Sequence, residues 1–335
     1  FGGVSEYGIT VRWDKNFLTL LHLTLARRRG LRMYGGIRFG GTLPIEDAWA
    51  YGFDHVAIAA GAGRPTIIDM KNNLLRGIRK ASDFLMALQL TGAFKRDALP
   101  NLQVRLPAVV IGGGLTAIDT ATELLAYYPI QVEKALRQYE ALVAAMGEER
   151  VRKHYDAEEL GILDEFCAHG RAVRAERARA SAAGEPPDVI SLVRGWGGVT
   201  LAYRKRMVDS PAYRLNHEEV VKALEEGIAF TENMNPLEAV PDEFGAVRAM
   251  VFAREGQAAQ AGEPTVTLPA RTVLVAAGTS PNVTYEKEAP NTFALDSRKK
   301  FFQPHRAQRT AEGRFELVPD PDGFFTSYER EGRFV

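Results

Sequence analysis

The sequence predicts an α/β protein built around a glycine-rich turn between a strand and a helix. Strand-like and helix-like segments alternate along most of the 335 residues, which is typical of layered α/β structures. The stretch VVIGGGLTAIDTATELL (109–125) passes from an apolar strand through three glycines into a helix. A strand followed by Ala-Ala-Gly occurs twice, in VAIAAGAGRP (56–65) and in VLVAAGTSPN (273–282).

The composition limits the classes of function. The 42 Lys and Arg residues balance 42 Asp and Glu residues, so net charge favours neither nucleic acid nor a membrane surface as a partner. The single cysteine, Cys167, excludes an internal disulfide and a redox-active CxxC pair, and no metal-ligand spacing surrounds it. No apolar run approaches the ~18 residues of a membrane span. We therefore expect a cytoplasmic protein that binds no metal, nucleic acid or membrane.

Four elements are predicted in the first 63 residues. Asp14 is suited to cap a helix that runs to about residue 29. A strand is expected in LRMYGGIRF (31–39), a short helix in PIEDAWAYG (44–52) and a buried strand in FDHVAIAAGAG (53–63). The two Ala-Ala-Gly strands are either the crossings of a domain inserted into another domain or two ordinary buried strands.

Helical periodicity dominates the middle of the chain. The connecting region 66–103 becomes helical from about Ser82, and Pro129 is expected to kink or divide the long helix after the glycines. The later pattern predicts strand VTLAY (199–203), helix HEEVVKALEEG (217–227), and strands within 228–240, 246–255 and 264–278. The last 50 residues are polar and irregular.

Residues 128–190 are predicted to be a helical insertion. Their alanine, glutamate and arginine content favours helix. Apolar residues recur at three- and four-residue spacing, so one face should be buried: Val132, Leu136, Tyr139 and Leu142. We expect this face to pack on the same chain or, with slight preference, on a neighbouring subunit, which would make a homo-oligomer.

Gly112, Gly114 and Ala117 form the pattern G-x-G-x-x-A between the strand and the helix. The first glycine permits the tight turn, the second lets the backbone approach a pyrophosphate, and the alanine keeps helix and strand close. The helix N-terminus offers N–H groups and a partial positive charge. The motif therefore predicts a dinucleotide site, with a packed strand–helix turn or another nucleotide-like ligand as the alternative.

Arg204, Lys205 and Arg206 follow strand VTLAY, with no acidic residue in the run. The second strand of a dinucleotide-binding unit normally ends ~20 residues after the motif, and its last residue contacts the ribose. Strand 199–203 comes much later, so an insertion is needed to restore this geometry. Cations there favour the 2′-phosphate of NADP(H), whereas the alternative is a solvated basic turn.

Several segments of the chain match, in order, motifs of one family, among them DKNFLTLLHLTLARRRG (14–30) and EEVVKALEEGIAF (218–230). The others are GGVSEYGI (2–9), FDHVAIAAGAGRP (53–65), LLRGIRKASDFL (74–85), VVIGGGLTAIDTA (109–121), VTLAYRKRMVDSPA (199–212) and TVLVAAGTSPN (272–282). The chain thereby resembles the glutamate synthase small-subunit type of FAD- and NADPH-dependent oxidoreductases, within the pyridine nucleotide-disulfide oxidoreductase superfamily.

This resemblance implies a Rossmann-type NADPH-binding domain inserted in an incomplete FAD-binding domain. The implied parts are a partial FAD-domain segment (1–66), a linker (67–103), the NAD(P)H-binding domain (104–278) and a return toward the FAD domain (279–335). Hydride would pass from NADPH to FAD, and electrons would leave for an acceptor domain or subunit. No catalytic residue is assigned, because the cofactors carry the hydride chemistry.

The resemblance also implies cofactor-binding residues. The pyrophosphate of NADP(H) would lie at the glycine motif, the 2′-phosphate at the basic strand end, and the flavin near the Ala-Ala-Gly crossings. The assigned residues are Gly112, Gly113, Gly114, Thr116, Ala117 and Asp119 in the motif, Arg204, Lys205 and Arg206 at the strand end, and Ala60, Gly61 and Gly278 at the crossings.

The chain departs from the family pattern at several points. The first FAD-binding glycine motif, the closing flavin segment and the N-terminal iron–sulfur cysteines of the family are not found. Leu115 replaces the asparagine of the family's GGGNTA, and Ala60 and Ala277 replace both threonines of its ATG strands. We therefore expect an internal fragment that alone binds FAD poorly and is inactive. The alternative function is a non-catalytic NADP(H)-binding or partner-binding module.

Overall fold

The computed structural model describes residues 17–254 and 265–335, which form two compact units. The first unit comprises Ile67–Gly278 and the second comprises Phe17–Thr66 with Thr279–Val335. The chain leaves and re-enters the second unit at the two positions where the sequence places the domain crossings. The predicted helix cap Asp14 and the GGVSEYGI segment lie outside the described residues.

The described residues contain helices in both units. In chain order they are α1 Phe17–Ala26, α2 Ile45–Ala50, α3 Ala81–Leu90, α4 Leu115–Met146, α5 Glu148–Arg152, α6 Ala157–Ala183, α7 Val189–Gly195, α8 Pro211–Glu225 and α9 Thr284–Glu288. None of these helices is both long and apolar enough to cross a membrane.

The strands form one parallel sheet and several smaller antiparallel sheets. They are β1 Arg64–Pro65, β2 Ile78–Lys80, β3 Ala108–Ile111, β4 Val199–Ala202, β5 Ala229–Thr231, β6 Met234–Pro241, β7 Val247–Arg254, β8 Thr265–Pro269, β9 Thr272–Val275, β10 Thr279–Ser280, β11 His305–Arg309, β12 Phe315–Pro319, β13 Glu329–Arg330 and β14 Arg333–Phe334.

A five-stranded parallel sheet in the order β2-β9-β3-β4-β5 forms the centre of the first unit. Val109 of β3 lies opposite Val273 of β9 and Thr200 of β4. From β3 the chain proceeds outward to β4 and β5, and it later returns to β9 on the opposite side of β3. The predicted α/β class is confirmed, and the order of connections reverses between β3 and β9.

Alternating residues of β3 pack on opposite faces of this sheet, as a strand's period of two requires. Ala108 and Val110 contact the helical layer, whose buried core includes Tyr127, Tyr128 and Phe84. Val109 and Ile111 contact the antiparallel sheet β6-β7-β8 together with Met234, Ala239, Met250 and Phe252. The first unit is therefore a three-layer structure of helices, parallel sheet and antiparallel sheet.

Helix α4 runs unbroken from Leu115 to Met146 through Pro129. The predicted division at Pro129 is wrong. Proline removes one helical hydrogen bond, but Tyr127, Tyr128 and Val132 on either side of it are fully buried in one core. Because tertiary packing supplies most of a helix's stability, burial on both sides of the proline holds the helix continuous.

Residues 128–190 are helical, as predicted, and the predicted face is largely buried within the chain. Val132 and Leu136 are fully buried and Tyr139 is nearly so, but Leu142 is 41% exposed, because Val143 rather than Leu142 packs in the cluster around Tyr139. Helix α6 covers this face. The preference for a neighbouring subunit as its cover is therefore wrong, and the face itself gives no reason to expect a homo-oligomer.

The second half of α4 also holds the linker that precedes β3. The Gln131 amide bonds both backbone groups of Val104, at 2.9 and 2.8 Å. The buried Lys134 Nζ donates to the carbonyl of Pro100 at 2.5 Å, and burial lowers the pKa of this ammonium. Burial raises the pKa of Tyr127 to about 12, which keeps its hydroxyl protonated beside the linker. This part of the predicted insertion therefore belongs to the core of the first unit.

The second unit departs from the sequence prediction in both of its segments. The last 50 residues, predicted to be irregular, contain the antiparallel pairs β11-β12 and β13-β14. The first segment has less regular structure than predicted. Neither 31–38 nor 53–63 forms a strand. Gly36 turns the first segment with a φ of +72°, and among the described residues no strand pairs with the second. Val56 and Ile58 still alternate into a small core around Trp49. The segment thus keeps its hydrophobic alternation. It is not a strand, because a strand also requires a hydrogen-bonded neighbour.

The two Ala-Ala-Gly segments end in strands that pair with each other. Arg64 lies opposite Ser280 and Pro65 opposite Thr279 in the antiparallel pair β1-β10. The carbonyl of Gly61 also accepts from the Asn282 N–H at 3.0 Å. The end of one chain segment of the second unit thus lies beside the start of the other.

Candidate functional site

The glycine-rich loop joins β3 to α4, and its three glycines have different structural roles. Gly112 has a φ of +156°, and a Cβ there would collide with the carbonyl of Ala276. A Cβ at Gly113 would collide with the ring of Tyr203. At Gly114 a Cβ would meet no atom within 4 Å. Two glycines are therefore needed for packing, and the third leaves the backbone open on one side.

The open side of the loop carries backbone donors. Within the described part of the chain, no carbonyl accepts from the N–H groups of Gly114, Leu115 or Thr116, whereas the Ala117 N–H donates to the Gly114 carbonyl at 2.9 Å. Helix α4 directs its positive end at the same place. Ala117 is fully buried and keeps the helix against the sheet. These groups suit an anion such as a pyrophosphate.

Asp119 and Thr116 occupy different positions relative to this open side. Thr116 is half-buried in the first turn of α4. Asp119 is only 1% exposed. Its side chain therefore does not line the solvent-facing side of the loop, and a role for Asp119 in binding a nucleotide would have to be indirect.

The carboxyl ends of three neighbouring strands meet at the loop. Gly112 N–H donates to the carbonyl of Ala202, at the end of β4, at 3.1 Å. Ala276 N–H, just after β9, donates to the carbonyl of Ile111 at 2.8 Å. In open α/β sheets, ligands bind outside the carboxyl ends of the strands where the strand order reverses. The loop lies at this position, between β3 and β9.

Arg204, Lys205 and Arg206 follow β4 and are all exposed. The sequence shows no acidic residue in this run, but the fold brings in two carboxylates. Asp209 pairs with Arg206 at 2.7 Å, and Glu232 accepts from the Met207 N–H at 2.6 Å. The basic strand end is therefore partly neutralised, since Arg206 is engaged. Arg204 and Lys205 have no ion pair within the described residues.

The residues that the sequence assigns to the flavin are divided between the two units. In the second unit Ala60 and Gly61 are exposed, and Gly61 turns the chain with a φ of +67°. In the first unit Gly278 is exposed and has a φ of +94°. Both glycines thus occupy backbone positions that other residues rarely adopt.

A second concave region, with a volume of about 410 Å³, lies at the amino ends of β3 and β9. Three of the charged residues that line it are paired with one another. Glu165 of α6 accepts from Arg105 at 2.6 Å and from Arg271 at 2.5 Å, and burial raises the pKa of this carboxyl. The region therefore joins α6 to the sheet. The described residues contain no cluster of three or more side chains suited to a metal ion.

Tyr128 and His169 form a half-buried polar contact between α4 and α6. The tyrosine hydroxyl and His169 Nδ1 are 2.7 Å apart, and the imidazole stacks on Trp196 with 3.8 Å between ring centroids. Burial lowers the pKa of His169 and raises that of Tyr128. The histidine is therefore held neutral where these helices meet.

We expect His169 to make the folded chain less stable in mild acid. Its pKa in the folded state lies below the ordinary value of about 6.5, so the unfolded chain binds more protons below that pH. The stabilisation is complete above about pH 6.5 and is lost as the pH falls through the folded pKa. Melting temperatures from pH 8 to pH 5 should fall less for His169→Gln than for the wild type. The exposed His154→Gln is the control, and an unchanged profile in His169→Gln would contradict the assignment.

No family model matches the chain. The chain is 35% identical over 333 residues to the uncharacterized protein RP006 of Rickettsia prowazekii (strain Madrid E). The match covers 95% of this chain but 45% of RP006, so the chain spans less than half the length of that relative.

The solved structures that resemble the chain include Mycobacterium tuberculosis FprA in complex with NADPH. The TM-score is 0.52 at 16% identity, with 88% of this chain and 64% of FprA covered. The chain shares its fold with FprA. A structure of FprA with a covalent modification of NADP+, described as an oxidoreductase, gives the same values.

A weaker likeness, on which no inference rests, is to a FAD-dependent pyridine nucleotide-disulphide oxidoreductase from Desulfovibrio vulgaris. Its TM-score is 0.34 at 14% identity, with 81% of this chain and 45% of that chain covered. The likeness to FprA supports the predicted fold. The finer resemblance to the glutamate synthase small-subunit type stays a prediction.

Proposed function

We propose that the chain is the NADPH-binding part of a flavoprotein oxidoreductase. Hydride would pass from NADPH to FAD, and electrons would continue to an acceptor domain or subunit. The observation that carries the proposal is the set of unpartnered N–H groups at Gly114, Leu115 and Thr116, on the open side of a glycine loop at the reversal point of a parallel sheet. A cytoplasmic location remains part of the proposal.

The loop would hold the pyrophosphate through backbone groups alone. The N–H groups at the start of α4 point to one side, where Gly114 leaves room for a phosphate oxygen to approach. The positive end of α4 adds attraction for negative charge. When bound, the nicotinamide supplies the hydride, and the protein contributes alignment and electrostatics. The residues present thus fit a dinucleotide.

Arg204 and Lys205 would contact the 2′-phosphate, because they follow β4 and carry no ion pair within the described residues. We expect Arg204→Ala to weaken NADPH binding by roughly tenfold or more, since a charge-assisted hydrogen bond contributes roughly 1.5–3 kcal/mol. NADH binding should change little. Calorimetry with both nucleotides measures the effect.

Arg150→Ala on α5 is the matched control, because it removes one exposed arginine from another part of the same unit. It should leave both affinities unchanged. Equal NADPH affinity in Arg204→Ala and wild type would place the 2′-phosphate at other residues. Equal losses for NADPH and NADH would show that Arg204 contacts a part common to both nucleotides.

The flavin part of the proposal is supported by the sequence resemblance and by the paired crossing strands β1 and β10. It is tested on the protein purified from its native source. Visible flavin absorbance that bleaches on anaerobic addition of NADPH would support the proposal. A colourless native protein that binds NADPH would favour a non-catalytic NADP(H)-binding module.

A further inference from the structure

Asp209 lies in a fixed position beside the cations of the β4 end. A short 3₁₀ turn, Met207–Asp209, returns the chain so that the carboxylate bonds the Arg206 guanidinium twice, at 2.7 and 3.1 Å. The Asp209 N–H donates to the Arg206 carbonyl at 3.0 Å, which fixes the turn. The pairing is therefore local and depends little on the rest of the fold.

The same turn is connected to the glycine loop. Ser210, only 1% exposed, caps α8 by accepting from the Tyr213 N–H at 3.2 Å. The Ala212 N–H donates to the carbonyl of Gly113 at 3.0 Å. Only two residues thus separate Asp209 from Ala212, which is anchored on the loop. Along the chain, Asp209 therefore lies between the basic strand end and the residue that bonds the glycine loop.

Several positive charges act on this carboxylate. The Arg206 hydrogen bond lowers the pKa of Asp209 most, and the charges of Lys205 and Arg214 lower it further. A fixed anion thus occupies a group of cations that would otherwise attract a phosphate. Both side chains of the pair are partly solvated, at 64% exposure for Arg206 and 41% for Asp209. The pair can therefore open without disturbing the core.

We propose that Asp209 is a specificity-determining counter-anion that holds Arg206 and weakens the binding of 2′-phosphorylated nucleotides. This inference rests on the proposed NADPH site. Asp209 lowers the affinity for a phosphorylated ribose in two ways: it engages Arg206, and it repels the 2′-phosphate. It has no such effect on a ribose that carries only hydroxyl groups. The selectivity of the site is therefore set by the balance between Arg204, Lys205 and this carboxylate.

The test is calorimetry on the full 335-residue chain with NADPH, NADH and adenosine 2′,5′-bisphosphate. Asp209→Asn keeps the size of the side chain and removes its charge. We expect about threefold tighter binding of the two 2′-phosphorylated ligands at low salt, as opening one exposed ion pair allows, and a smaller gain at higher salt. NADH affinity should stay unchanged. Glu149→Gln, which neutralises an exposed partner of Lys153 on α5, is the control and should change nothing.

Arg206→Gln supplies the second measurement. If Asp209 acts by engaging Arg206, at least half of the gain from Asp209→Asn should disappear when Arg206 is already glutamine. A full gain in that background would overturn the proposal. So would equal affinities of Asp209→Asn and wild type, or an equal gain for NADH. Wild type that binds neither nucleotide would refute the proposed function itself, and the inference with it, before any variant is compared.

Discussion

Gly112→Ala should destabilise the first unit by about 2–4 kcal/mol, the combined cost of backbone strain and overpacking. The reason is local. Gly112 has a φ of +156°, and its added methyl group would collide with the carbonyl of Ala276. That carbonyl belongs to backbone next to β9 in the sheet, so it cannot move aside as a flexible side chain would.

Gly114→Ala is the matched variant in the same loop, and it should separate binding from folding. Gly114 caps α4 with φ −93° and ψ 173°, which alanine also adopts, and no atom lies within 4 Å of the added methyl group. Stability should fall by less than about 1 kcal/mol, since alanine is only a poorer cap than glycine. The methyl group would stand where a phosphate must approach the Leu115 and Thr116 N–H groups. NADPH affinity should therefore drop tenfold or more.

Urea unfolding followed by far-UV circular dichroism gives the stabilities, and calorimetry gives the affinities. The expected result is a stability defect in Gly112→Ala and a binding defect in Gly114→Ala. Normal stability of Gly112→Ala would mean that the loop does not pack on β9 as described. Normal NADPH binding by a folded Gly114→Ala would move the pyrophosphate away from the loop.

The sequence predicts the glycine motif and its flanking elements because the signals are local. An apolar strand, a turn that needs glycine and a helix start are all encoded within 109–125. The reason for Gly113 is not local. It is the ring of Tyr203, which follows a strand more than 80 residues later. Only the parallel pairing of β3 with β4 brings the two residues together.

The charge balance of the basic strand end also depends on contacts that only the fold creates. Arg204, Lys205 and Arg206 are visible as a run, but their charge balance depends on Asp209 and Glu232. Asp209 is three residues after Arg206, so a tight turn in this segment was the signal that could have predicted their pairing. Glu232 follows β5, and the pairing of β5 with β4 brings it to the basic strand end. Charge counted along a sequence therefore overstates the charge that a ligand meets.

The missing strands of the second unit have a different cause. Hydrophobic alternation in 53–63 predicts a strand, and Val56 and Ile58 do pack on the small core around Trp49. Alternation reports which side chains are buried, but it does not report whether a neighbouring strand supplies hydrogen bonds. In 31–39, the paired glycines at 35 and 36 turn the chain instead.

The boundary of the predicted insertion needs the largest revision. Replacing 131–190 by a flexible linker would be harmless if the segment were an appendage. It would instead remove Gln131 and Lys134, which hold the linker before β3, together with Val132, which is fully buried in the main core. We expect that replacement to unfold the first unit. A sharper test of the same packing changes a single residue.

Gly170→Ala should destabilise the first unit by about 1–2 kcal/mol even though alanine favours helix by roughly 1 kcal/mol over glycine. Gly170 is buried where α6 crosses α4. A Cβ there would lie 2.6 Å from the Val132 carbonyl and 3.0 Å from the Leu136 Cβ, so the helices would have to separate.

Gly161→Ala on the same helix is the control, because no atom lies within 4 Å of its added methyl group. It should stabilise the protein by up to about 1 kcal/mol through helix propensity alone. Urea unfolding of the two variants beside wild type thus gives changes of opposite sign. Stabilisation by both would mean that α6 does not pack closely on α4, and that residues 128–190 are an insertion outside the core of the first unit, as the sequence predicted.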